Sequence, residues 1–149
     1  MNKLIFWVLL AVAGYAGFNH YRASPYFAST AILSTPAEAS DALFAKAYQN
    51  HAGALQIKGR GTVIKLLADD NQGDRHQRFL VRLNNGQTLL FAHNINLAPR
   101  IDALDEGDVV KFYGQYEWNE KGGVIHWTHH DPQGSHVAGW IEHNGQTYQ

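Results

Sequence analysis

The histidines are where chemistry is most readily placed in this chain. Residues 124–136 read Val-Ile-His-Trp-Thr-His-His-Asp-Pro-Gln-Gly-Ser-His and hold His126, His129, His130 and His136, four of the nine histidines in 149 residues. Imidazole serves as a metal ligand, a general base or a hydrogen-bond partner near neutral pH. Val124 to Asp131 has the β-branched and aromatic make-up of a strand, and Pro132 ends it. Alternation predicts Val124, His126, Thr128 and His130 on one face and Ile125, Trp127, His129 and Asp131 on the other. Alternate residues stand about 6.6–6.8 Å apart along a strand. His129 and Asp131 can therefore converge on one ion, with His136 arriving from the Pro-Gly loop. Zinc or another first-row divalent ion suits that donor set. His126 and His130 are too far apart to share an ion unaided, and His93 is the partner the pattern offers. No established ligand spacing such as His-Glu-x-x-His is present. The competing reading is structural, with the same imidazoles packed and hydrogen-bonded around Trp127 and Trp140.

Three other chemistries draw on neighbouring stretches. Over residues 58–82 six cations (Lys58, Arg60, Lys65, Arg75, Arg78, Arg82) face three carboxylates (Asp69, Asp70, Asp74). With Tyr113, Tyr116, Trp118 and Trp127 as stacking platforms, that excess suits single-stranded nucleic acid. A hydrolase reading takes His76 or His129 as base, Arg78 or Arg82 as phosphate holder, and Asp69 or Asp70 as ion holder. The Asp-Gly-Asp-Thr string associated with barrel nucleases is absent. Exposed Trp and Tyr beside Asn, Gln and His also suit sugars or peptides, without a specific motif. Nothing resembles a phosphate-cradling glycine loop, a nucleophile elbow or a dinucleotide fingerprint. A binding module is favoured over an enzyme. Its ligand site is expected among His76, Arg78, Arg82, Trp127 and Trp140 with the histidines above.

The elements that position these residues follow from periodicity. Thr35-Pro36-Ala37-Glu38 is a capping box with proline at the first helical position. Leu43, Phe44, Ala47, Tyr48 and His51 make one apolar stripe, so a helix is predicted from Pro36 to His51, with Gly53 as its left-handed cap and His51 as a packing residue. From Ala54 the period is two. Strands are predicted over Gln56–Leu67, His76–Leu83, Gln87–His93, Val109–Trp118 and the His-rich stretch. Asn84-Asn85-Gly86 and Asn144-Gly145 are hairpin turns. Gly59 and Gly61 imply a coiled strand or a close neighbour, and Gly114 a bulge or corner. Residues 94–108 form a short helix or an irregular crossover. Three strands in meander, a crossover and a final hairpin are the order of an OB-like five-stranded barrel. The fold predicted is mainly β, with an N-terminal amphipathic helix and an extra C-terminal β-hairpin over 137–149.

Composition sets the outer limits. Apolar residues are 45%, enough for a core, and net charge is −1, so bulk charge does not point to nucleic acid. The absence of cysteine excludes disulfides, thiolate ligands, a cysteine nucleophile and a lipidated cysteine anchor. Lys3 precedes an apolar block over 4–13, and small residues follow at Gly14 and Ala16. That is a secretory signal over 1–16, or else an uncleaved anchor, and either places the rest outside the cytoplasm. Residues 17–34 read as a tether, 35–53 as the helical extension and 54–149 as the β domain. The expected location is periplasmic or tethered to the outer face of the inner membrane, with membrane contact only through an uncleaved leader.

The strings Arg75-His-Gln-Arg-Phe-Leu-Val, Ala92-His-Asn-Ile, Tyr116-Glu-Trp-Asn, Gly123-Val-Ile-His-Trp-Thr-His-His-Asp-Pro and Gly139-Trp-Ile resemble a bacterial family of exported proteins, the domain of unknown function 3465 family. The resemblance covers about residues 55–149. It implies export and no particular activity.

Overall fold

The computed structural model describes residues 35–149. The predicted leader and tether over 1–34 lie outside the described residues. Among the described residues no helix is long and apolar enough to cross a membrane.

Helix α1 spans Pro36–Gln49 and starts as its sequence requires. Thr35 Oγ1 accepts from the Glu38 amide at 3.3 Å, and Glu38 accepts from the Thr35 amide at 2.7 Å. Its end differs from the expectation that Gly53 caps it. Asn50 is the C-cap and His51 takes the left-handed turn, at φ 51°. Ala52 N then donates to Ala47 O at 2.9 Å and His51 N to Tyr48 O at 3.2 Å, the bonding of a Schellman motif. A histidine in this glycine position is held by packing, its ring 4.2 Å from that of Trp118. Gly53 is needed for another reason. A β-carbon there would strike the Glu117 carboxylate, whose Oε1 accepts from Ala54 N at 3.1 Å.

The strands are β1 (Leu55–Leu66), β2 (His76–Arg82), β3 (Thr88–Asn94), β4 (Val109–Glu117), β5 (Val124–His126), β6 (Trp140–His143) and β7 (Gln146–Tyr148). They run β1-β2-β3-β5-β4, and β4 pairs back to β1, closing a five-stranded ring with β3 and β5 parallel. This is the predicted OB-like barrel. The β6–β7 hairpin extends the sheet from β4 outside the ring. Asn144 and Gly145 both have positive φ, at 49° and 79°, as a type I′ turn demands.

Alternation turns Phe79, Val81, Leu89, Phe91, Val110, Phe112, Tyr116 and Ile125 inward, all fully buried. The rings interlock, with Phe79 stacked on Phe91 at 4.9 Å and Phe91 edge-on to Phe112 at 4.8 Å. Phe44 of α1 joins them at 5.9 Å from Phe112 and 5.8 Å from Tyr116. Gly59 exists for this packing, because a β-carbon there would press on Phe112 and Phe44. Gly114 is no bulge. It pairs in register with Ile57, and a β-carbon would meet His126 O, Ile125 and Thr128. The irregularity falls in β1 instead, between Val63 and Lys65. The crossover over 95–108 contains turns and no helix. The buried Gln77 amide clamps it, donating to Ile101 O at 3.0 Å and accepting from Ile101 N at 2.9 Å.

Candidate functional site

The expected strand over Val124 to Asp131 stops at His126. Trp127 takes φ 52°, a left-handed conformation that tryptophan rarely adopts. The predicted two-face alternation is thereby lost beyond it, and Thr128 and His129 are both buried. Close contact fixes the bend. Gly139 lies so near the carbonyls of Trp127 and Tyr113 that a β-carbon cannot fit, and its amide donates to His129 O at 3.0 Å. Residues 127–139 thus form a loop between β5 and β6, pinned at its base.

Asp131 organises the tip of that loop. Its Oδ1 accepts from Gln133 N at 2.9 Å, and its Oδ2 from Ser135 N, Ser135 Oγ and His136 N at 2.6–2.8 Å. Those donors, led by the Gln133 amide and the Ser135 hydroxyl, hold its carboxyl down to about 2. The sign follows: a carboxyl depressed in the fold stabilises the loop above about 4 and loses that effect as pH falls toward 2. Asp131→Ala is expected to speed hydrogen exchange at the Gln133, Ser135 and His136 amides. Unchanged rates in exchange mass spectrometry would show that something else holds the loop.

His136 is likewise engaged. Its ring stacks on Trp127 at 4.1 Å and 10°. Its Nδ1 donates to Val137 O at 2.8 Å, and its Nε2 reaches Gln115 Oε1 at 2.5 Å. Gln115 Nε2 donates on to Glu117 Oε1 at 2.6 Å, so a polar chain runs along β4 from the loop. His93 is buried, with Nε2 donating to Pro99 O at 3.1 Å and Nδ1 accepting from the Thr128 hydroxyl at 2.8 Å. Burial drives its pKa down to about 4. His130 is exposed. The set His129, Asp131 and His136, with His93, His126 and His130 as further ligands, is therefore dispersed. Asp131 serves its loop, His136 lies on Trp127 and His93 is a core hydrogen-bonding residue. Among the described residues no three His, Asp or Glu side chains gather closely enough to hold an ion.

Three histidines of another set line one cleft without touching a common point. A cleft of about 230 Å³ is lined by Asp74, His76, Ala92, Asn94, Leu97, His126, Trp127 and His129. His129 Nδ1 donates to His130 O at 2.7 Å, which leaves Nε2 with a lone pair. His126 Nε2 is closed off from solvent without a hydrogen-bond partner, 3.8 Å from Glu117 Oε1. Burial lowers the His126 pKa, against the pull of Glu117. Asn94 carries no site signal in the sequence, since a lone polar residue at a strand end is common, and Asp74 figures there only as one of three loop carboxylates.

The other named residues lie apart. Arg78 donates to Ala68 O at 3.0 Å, Arg82 is exposed at the end of β2, and Trp140 sits against Tyr113 on β6. Asp69 is paired with Arg100 at 3.0 Å. Tyr116 is a core residue rather than a stacking platform, and Trp118 packs on α1, its Nε1 donating to Tyr48 O at 3.1 Å. A histidine–carboxylate pair that the pattern did not reveal joins His143 Nε2 to Asp108 Oδ2 at 2.7 Å. The His143 side chain is only 1% exposed, so the pair ties β6 to the entry of β4 and presents no reactive edge.

A family model described as protein of unknown function (DUF3465) matches residues 27–149. No curated protein matches the chain.

Proposed function

This chain belongs to the DUF3465 family, and we propose that it is an exported OB-like binding module whose ligand enters the His76–His126–His129 cleft. The observation that supports this reading is that three imidazoles, from the start of β2, the end of β5 and the loop after it, line one small cleft. His129, whose Nδ1 is engaged by the His130 carbonyl, keeps an Nε2 lone pair for a ligand. The first ligand class is a first-row divalent ion such as zinc, for which neutral imidazoles are suitable donors; as they lie the three rings are too far apart to share one ion, so binding requires them to turn toward each other. Export is our reading of the leader, in which Lys3 precedes an apolar block.

Zinc titration of the untagged protein, followed by histidine-ring NMR, tests this. Signals of His76, His126 and His129 are expected to shift together and saturate at one equivalent. His126→Ala with His129→Ala is expected to weaken binding at least tenfold, as loss of two ligands implies. Shifts confined to His130 or His136, or equal metal content in parent and double variant, would end the metal assignment.

A further inference from the structure

A second surface shares no residue with the histidine cleft. On the outer face of β1, β4 and β6, strand register sets residues in two rows. Lys58 pairs with Tyr113, which pairs with Trp140. Two residues along each strand, Arg60 pairs with Lys111, which pairs with Glu142. The first row is cation, ring, ring; the second is cation, cation, anion. Neighbouring strands stand about 4.8 Å apart and the rows about 6.7 Å apart. Lys58 Nζ lies 5.3 Å from the centre of the Tyr113 ring, and that ring lies 6.5 Å from Trp140.

This face borders a groove of about 640 Å³ whose charged lining residues, Lys58, Arg60 and Lys111, are all cations. Like charges directly opposite each other weaken a sheet. Glu142 relieves Lys111 at 2.7 Å, but among the described residues Arg60 makes no ion pair. An anion in the groove would compensate both. A flat ring beside that anion would find Trp140, which is half-buried and also lines the groove. The outward residues of β2 and β3 offer no such platform. They are His76, Arg78, Leu80 and Arg82 on β2, and Thr88, Leu90 and Ala92 on β3.

We propose that the β1–β4–β6 face binds single-stranded nucleic acid, with phosphates on Arg60 and Lys58 and a base stacked on Trp140. Export, if it holds, makes scavenged or extracellular strands the source. The face lies away from β2 and β3, where five-stranded barrels of this order commonly take oligonucleotides.

Fluorescence anisotropy of a labelled thymidine hexamer with the full chain tests this. Saturable binding that weakens as salt rises is expected. Trp140→Ala is expected to raise Kd about tenfold, the usual scale for one stacked base. Lys58→Glu with Arg60→Glu, both on exposed positions, is expected to abolish binding while circular dichroism stays native. Arg78→Glu with Arg82→Glu should leave Kd within about twofold of the parent. If Trp140→Ala misfolds, Trp140→Leu replaces it. An abasic hexamer that binds as tightly as thymidine would reduce the face to a polyanion site and overturn the proposal. So would loss of binding in the Arg78 and Arg82 variant instead, or no saturable binding at all.

Discussion

Acidification from pH 6.5 to about 4 is expected to remove about 3 kcal/mol of stability through His93 alone. The fold keeps this buried imidazole neutral, with its pKa near 4, while the unfolded chain takes up a proton at the ordinary value of 6.5. Between those values the unfolded state binds more protons, so stability falls as pH falls and is fully present above 6.5. His129 and His76 act on His93 in the same direction as burial, and the Pro99 carbonyl opposes them. His126, lowered chiefly by burial, adds to the loss as pH falls below 6.5. Denaturant titrations at pH 7, 5.5 and 4.5 measure it. His93→Gln, which can still donate toward Pro99 and accept from Thr128, is expected to flatten most of the slope. An equally steep slope in the variant would assign the acid sensitivity to other groups. Asp108 and Asp131, both depressed, act lower still, below about pH 4.

Phe44→Ala is expected to cost about 3–5 kcal/mol, the range for removing a fully buried aromatic ring. The ring contacts Phe112 and Tyr116, so its loss opens a cavity at the join of helix and barrel. Asp41, which accepts from the Asn85 amide at 3.2 Å, and Tyr48, which donates to Glu120 O at 3.0 Å, would lose their placement with it. Chemical denaturation with tryptophan emission as the signal measures this, since Trp118 packs on the same helix. A loss below about 1 kcal/mol would make α1 an appendage, contrary to its burial.

The barrel was legible because β2 and β4 alternate, β1 does so up to its irregularity after Val63, and turn residues bound the first four strands. Asn84-Asn85-Gly86 and the polar run Asp105 to Asp108 are the clearest of these boundaries. β1 to β4 accordingly begin or end within a residue or so of the pattern. The histidine stretch was misread for one cause. A tryptophan at positive φ has no sequence signature, and a single left-handed residue reassigns every side chain after it. Asp131 looked like a ligand because its type permits it, whereas its local role, accepting amides two to five residues ahead, is the commoner use of aspartate in a loop. Part of the cleft was implicit in the topology. In this strand order the start of β2 lies beside the end of β3, and β3 runs parallel to β5, so His76 and His126 must meet at one end of the barrel.

The closing pair of the ring joins β1 to β4, strands separated by a long stretch of chain. A ribosome must add about 50 residues between the end of β1 and the end of β4, a delay of several seconds at ordinary synthesis rates. For that interval the leading half of β1 has a bare edge open to other nascent chains. Lys58 and Arg60 alternate there with Gly59 and Gly61, a charged and weakly strand-forming run that discourages stray pairing. Replacing those cations would then lower the soluble yield of freshly made protein even where the finished barrel is unharmed.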